Sequence, residues 1–178
     1  MDKIKLYDNE FILSITSARI QEAVSGIAAK INRDLEGESP LFISILNGAF
    51  MFTSDLLKQI KLNCRVSFLK ISSYQGSSST GRITELIGLN EDIKGETIVI
   101  LEDIVDTGTT LEGVTAQLKQ HSPRNIKIAT LLLKPEVFKG GVKLDYVGLE
   151  IPNDFIVGYG LDYKELGRNY KSIYKRSL

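Results

Sequence analysis

One stretch constrains this chain more than any other: Thr97 to Leu111, T-I-V-I-L-E-D-I-V-D-T-G-T-T-L. Ile98 to Leu101 is a short apolar run rich in β-branched residues, which reads as a strand buried on both faces, as in a parallel sheet. Glu102 and Asp103 interrupt the run, and Asp106 follows after Ile104 and Val105. Thr107, Gly108, Thr109 and Thr110 then supply hydroxyls, little bulk and one flexible backbone position. Leu111, Val114 and Leu118 recur at helical spacing. Strand, acids, Gly/Thr turn, helix: that order predicts a polar site at the carboxyl end of a strand, where open α/β sheets bind ligands.

The residue types narrow the ligand. Backbone N–H groups in the turn and at the helix start favour a phosphate, helped by the helix dipole. Three carboxylates in five residues would repel one another if left bare. They fit groups that donate hydrogen bonds or carry positive charge: ribose hydroxyls, a protonated ring nitrogen, or Mg²⁺ held partly through water. The stretch therefore asks for a sugar phosphate. A solvated acidic turn with a capping threonine is the plainer alternative, and so ordered a sequence after so apolar a strand argues against it.

The rest of the chain supplies the frame. With 178 residues it is long enough for one domain with its own core. Lys and Arg number 22 and so do Asp and Glu, so no basic excess points to a nucleic-acid partner. The lone cysteine, Cys64, excludes an internal disulfide and a cysteine-based zinc cluster, and reads as a small buried hydrophobe. The start, M-D-K-I-K-L-Y-D, has no apolar signal region and no run approaches a membrane span, so a cytoplasmic protein is expected.

In chain order, Ser17 to Leu35 reads as a helix with Ile20, Val24, Ile27, Ala28 and Ile31 on one face and Thr16 or Ser17 as cap. Leu41 to Leu46 is a buried strand, Asn47-Gly48 a turn, and Ala49 to Ile60 a helix. Arg65 to Ser72 has strand character and leads into the Gly/Ser/Thr run 73–81, either a plain hairpin connection or a lid. Ile83 to Leu89 would be its return strand. Asn125 to Leu133 is a further buried strand closed by Lys134. His121 falls late in the central helix and reads as a surface residue. Tyr146 to Ile151 and Phe155 to Tyr159 read as short strands around the Pro152-Asn153-Asp154 turn.

Several of these segments carry a resemblance. I-L-E-D-I-V-D-T-G-T-T resembles the phosphoribosyl-diphosphate (PRPP) signature of the type I phosphoribosyltransferases, and its E-D-I-V-D-T-G form is most similar to the hypoxanthine-guanine branch. L-L-L-K and P-N-D-F-I-V-G-Y-G-L-D-Y…R resemble that branch's base-binding segments, in the same order. The resemblance implies an α/β fold: a mostly parallel sheet flanked by helices, with a small hood made by the N- and C-terminal segments. It implies transfer of the phosphoribosyl group of PRPP to N9 of a 6-oxopurine, with Mg²⁺, in a homodimer or homotetramer.

Residue roles follow from the same resemblance. Glu102 and Asp103 would hold ribose hydroxyls or metal-bound water, and Thr107, Gly108, Thr109 and Thr110 the 5′-phosphate. Asp106 would take or share a proton of the purine's imidazole ring. Leu46, Asn47 and Gly48 would hold the diphosphate through backbone groups, with a cis bond between Leu46 and Asn47, and Arg168 would contact it. Many relatives have Lys or Arg where this chain has Asn47. Ser73 and Tyr74 would belong to a catalytic lid. Lys134 would contact the purine's exocyclic oxygen, Phe155 would stack on the ring and the Ile156 backbone would read its edge. Asp162 would lie near both base and Mg²⁺. The alternatives are a phosphoribosyltransferase of other base specificity (xanthine, adenine, uracil) and a non-catalytic regulator of the same fold.

Overall fold

The computed structural model describes residues 2–72, 85–87 and 91–177. The 73–81 lid, with Ser73 and Tyr74, lies outside the described residues. Two sheets share the chain. The larger has the order β5-β4-β3-β6-β7-β8, formed by β3 (Leu41–Leu46), β4 (Arg65–Ser72), β5 (Glu85–Ile87), β6 (Thr97–Val105), β7 (Asn125–Leu133) and β8 (Tyr146–Glu150). All its pairs are parallel except β4 with β5.

The central strands are mostly apolar because both faces are covered. On β6, Val99 and Leu101 join the core under α1 (Ser17–Asp34) and α2 (Phe50–Leu57). Ile98 and Ile100 alternate to the other face, beneath Leu111, Val114 and Leu118 of α3 (Thr109–Lys119). Each such side chain stabilises the fold by about 1.5–3 kcal/mol when fully buried. All five residues expected on the inner face of α1 are buried. Thr16 caps that helix, its hydroxyl accepting from the Arg19 N–H at 3.3 Å.

The parallel strands are laid down from the middle outward. The chain forms β3, steps to β4, then returns past β3 to place β6 on its other side. The winding direction thus reverses between β3 and β6, while α2 and α3 leave their strands on opposite faces. At such a switch point the two strand-to-helix corners diverge and leave a crevice beyond the strand ends.

Over that end lies the smaller sheet, ordered β1-β2-β10-β9 from β1 (Lys3–Leu6), β2 (Asn9–Ile15), β9 (Ile156–Val157) and β10 (Ile173–Arg176), all antiparallel. It is the hood, drawn from both ends of the chain around its own small core of Leu6, Phe11 and Val157. Among the described residues no helix is long and apolar enough to cross a membrane.

Three expectations need correction. The carboxylates do not end the central strand: β6 runs on through Glu102 and Asp103 to Val105, because its pairing with β7 continues as far as Val105 opposite Leu133. Cys64 is exposed rather than buried, since it lies in the connection between α2 and β4, outside either core. Partial burial still pushes its thiol pKa up, which works against reactivity. The strand expected over 155–159 is only Ile156–Val157, because two glycines at positive φ, Gly158 and Gly160, turn the chain away.

Candidate active site

At the β6–α3 corner, Glu102 and Asp103 are only 9% and 7% exposed, adjacent along the strand, yet both line the crevice. Burial pushes the Glu102 pKa well above the ordinary carboxylate range, and the neighbouring Asp103 charge adds to it. Burial also raises that of Asp103, opposed by hydrogen bonds and by the Arg168 charge. Beyond them the chain turns at Gly108, whose φ of +88° suits glycine; a Cβ there would also lie 2.8 Å from the Phe138 ring. Thr107 and Thr109 hydroxyls lie 3.1 Å apart, and the Thr109 N–H points at Thr107 Oγ1 at 3.4 Å. Thr110, on the first turn of α3, is exposed. The acids, the turn and the apolar floor of Ile45 and Ile71 enclose a cavity of about 350 Å³. Its polar wall combines buried carboxylates with the amino-terminal end of a helix, which suits a polyol carrying a phosphate.

The β3–α2 corner is built from backbone. The Leu46–Asn47 peptide is cis, at the bond the resemblance indicated. A Cβ on Gly48 would fall 1.8 Å from Asp103 Oδ2, so only glycine lets this corner lie against the buried acid of the other. From above, Gly160 of the hood closes on the same point: a Cβ there would sit 1.9 Å from the Gly48 carbonyl oxygen.

A second cavity, of about 280 Å³, opens between this corner and the hood. Asp103, Ile104 and Asp106 line both cavities. The second adds Asn47, Gly48, Lys134, Phe155, Ile156, Leu161, Asp162 and Arg168. Lys134 is 8% exposed, and its Nζ lies 3.0 Å from Asp106 Oδ1. Its N–H donates to the Val105 carbonyl at 3.0 Å, so β6 and β7 are still joined where they deliver these two side chains. Phe155 is 49% exposed; Tyr163 meets it edge-on at 5.8 Å, which holds the ring while leaving area toward the cavity. Such a ring suits a flat heterocycle. Arg168 forms a 2.5 Å ion pair with Asp162 Oδ1 and donates to the Gly160 carbonyl at 2.7 Å. The other Asp162 oxygen accepts from the Glu165 N–H at 2.7 Å.

The structure thus brings together every described residue to which sequence reasoning gave a site role, except Thr109, which faces the turn. Sequence reasoning missed Gly160 and Leu161. The two glycines flanking Tyr159 were the available signal for a close backbone approach. Among the described residues there is no group of three or more His, Cys, Asp or Glu side chains placed to hold a metal ion.

Comparison with known proteins agrees with this geometry. Residues 15–164 match the model of the phosphoribosyl transferase domain. Hypoxanthine-guanine phosphoribosyltransferases of Staphylococcus aureus and Streptococcus pneumoniae are each 39% identical over 156 residues, covering 87% of this chain and 87% of theirs. The crystal structure of a hypoxanthine-guanine phosphoribosyltransferase from Bacillus anthracis superposes with a TM-score of 0.84 at 36% identity, over 93% of this chain and 97% of that one. A hypoxanthine phosphoribosyltransferase from Staphylococcus aureus gives 0.85 at 37%, over 93% and 90%. The matched length, the switch-point crevice and the acid-threonine corner lead to one conclusion: the chain belongs to the phosphoribosyltransferase family, among its hypoxanthine-guanine members.

Proposed function

We propose that this enzyme transfers the phosphoribosyl group of PRPP to N9 of hypoxanthine or guanine, giving IMP or GMP and diphosphate. One observation carries the reading: two adjoining cavities share Asp103 and Asp106, one walled by the threonine turn, the other by Lys134, Phe155 and the Gly48 corner. A sugar phosphate and a planar base can then meet at the acids.

In this reading the 5′-phosphate lies on the Thr107–Thr110 turn and the start of α3. Asn47 and Gly48 hold the diphosphate through backbone N–H groups, and Arg168 turns from Asp162 toward it. Phe155 stacks on the purine, the Ile156 backbone meets its edge and Lys134 donates to the 6-oxygen. Anionic groups around the sugar stabilise its oxocarbenium-like transition state. Asp106 accepts or shares the purine's imidazole proton as N9 forms its bond.

The donor set also suits Mg²⁺. It takes one or two carboxylates and otherwise phosphate and water oxygens, so a three-residue cage is not required. Of Glu102, Asp103 and Asp162, one or two would hold it directly and the rest through water; burial raises the pKa of the first two, and a cation beside them relieves that. Bound there, Mg²⁺ would neutralise charge on the departing diphosphate.

The enzyme is read as a single cytoplasmic domain that forms a homodimer or homotetramer. Val66 and Phe68, 44% and 43% exposed on one face of β4, support self-association. The function is tested by following diphosphate release from PRPP and Mg²⁺ with hypoxanthine, guanine, xanthine, adenine or uracil. Release with the 6-oxopurines is expected; release only with adenine or uracil would overturn the base assignment.

A further inference from the structure

The hood contributes Phe155, Ile156, Asp162 and Arg168 to the second cavity, whereas Asn47, Gly48, Asp103, Asp106 and Lys134 belong to the large sheet and its corners. The site works only if these two bodies keep a fixed spacing. Gly160 lies so close to the Gly48 carbonyl that a Cβ would not fit, and the residue before it, Tyr159, turns its side chain the other way, into the core. Tyr159 is 2% exposed, and its hydroxyl donates to Asp55 Oδ2 on α2 at 2.8 Å. The same oxygen accepts from Gln21 Nε2 of α1 at 2.7 Å, while Lys58 Nζ holds Oδ1 at 3.0 Å. The Tyr159 backbone N–H is fixed as well, donating to the Tyr170 carbonyl at 2.7 Å. A non-glycine residue at φ +49° thus anchors the hood loop to the helix that begins two residues after Gly48.

We propose that Tyr159 is a positioning residue for the reaction: its hydrogen bond to Asp55 sets the spacing between hood and β3–α2 corner, and so holds Arg168 over the diphosphate. The bond has the properties a fixed spacer needs. Burial and the Asp55 carboxylate push the tyrosine pKa far up, so the hydroxyl keeps its proton. Burial works to raise the Asp55 pKa, but the hydrogen bonds from Gln21, Lys58 and Tyr159 outweigh it and hold it below the usual value, so the acceptor keeps its charge. From Tyr159 the coupling runs through Gly160, whose N–H donates to the Arg168 carbonyl at 2.9 Å and whose own carbonyl accepts from the Arg168 guanidinium. The inference rests on the proposed function, because it takes the Gly48–Arg168 region as the diphosphate site.

The test is Tyr159→Phe, which removes one oxygen and keeps the buried ring. PRPP affinity is measured by calorimetry in Mg²⁺, KM for hypoxanthine by turnover, and amide hydrogen exchange over 158–168 on the ligand-free protein. PRPP binding should weaken about tenfold, the coupling of about 1.4 kcal/mol expected if the tether sets the place of Arg168. KM for hypoxanthine should change less than threefold, and exchange over 158–168 should accelerate. Asp55→Asn, which keeps an acceptor oxygen, should retain more PRPP affinity than Asp55→Ala. Unchanged exchange, or unchanged PRPP affinity, would overturn the proposal. So would equal losses for PRPP and hypoxanthine that follow only the fall in melting temperature. A wild-type chain that fails to bind PRPP would refute the proposed function itself, and the exchange data would still judge the tether.

Discussion

The two strand-to-helix corners at the switch point face the same crevice with opposite materials. The β6–α3 corner presents side chains: two buried carboxylates, Asp106 and a run of hydroxyls. The β3–α2 corner presents almost only backbone, a cis peptide and a glycine pressed against Asp103. A corner that holds its ligand with side chains writes its chemistry into residue types. A corner that holds it with main-chain N–H groups writes only a permission, a glycine where nothing larger fits. The β6–α3 corner is readable from Thr97–Leu111 alone. The β3–α2 corner reads as an ordinary Asn-Gly turn until a resemblance points to it.

Substitutions at the two corners should therefore fail differently. The largest expected effect is on chemistry: Asp106→Asn should lower turnover by about 10²- to 10⁴-fold, the usual worth of a placed proton acceptor, with PRPP affinity changed less than threefold. Turnover near wild type would remove Asp106 from the mechanism. Next is Gly48→Ala. Its methyl would displace a buried carboxylate, at a stability cost of about 1–3 kcal/mol, and disturb the N–H groups beside it. PRPP affinity should fall by about 10- to 100-fold, or ~1.4–2.8 kcal/mol. A fully active Gly48→Ala protein would break the claim that this corner tolerates only glycine.

Smaller still, Thr110→Val removes one exposed hydroxyl and little else. KM for PRPP should rise about tenfold, as for one hydrogen bond to a charged phosphate, with the melting temperature unmoved. Last is a stability effect confined to the ligand-free enzyme. The folded-state pKa of Glu102 lies above its unfolded value, so the folded form holds this proton more tightly. The resulting stability is complete below the unfolded pKa of about 4.3 and is lost as pH rises through the raised value. The slope is at most about 1.4 kcal/mol per pH unit. Thermal melts across pH should show this decline, and Glu102→Gln should flatten it. An unchanged slope in the variant would place the titration elsewhere.

What was legible followed the same division. Helix α1, β3, β7 and the apolar half of β6 are legible because burial selects apolar residues, at helical spacing on α1 and in near-continuous runs on strands covered on both faces. That β6 continues through its acids was not, because strand pairing with β7 overrides the polarity of single residues. The exposure of Cys64 was missed because composition says nothing about where a loop lies. Lys134 and Phe155 were ambiguous alone, one an ordinary strand-end lysine and the other an ordinary core aromatic. Only the fold brings them into one cavity with Asp106. Gly160 on Gly48 and Tyr159 on Asp55 join residues more than a hundred positions apart, a pairing no local pattern carries.

The division of labour between the corners can be seen directly by solving a crystal structure of the enzyme with PRPP and Mg²⁺. The 5′-phosphate should lie within hydrogen-bonding distance of the Thr107–Thr110 backbone and hydroxyls, and the diphosphate on the Asn47 and Gly48 N–H groups beside Arg168. A diphosphate seated on the threonine turn, or no phosphate at the Gly48 corner, would contradict the account.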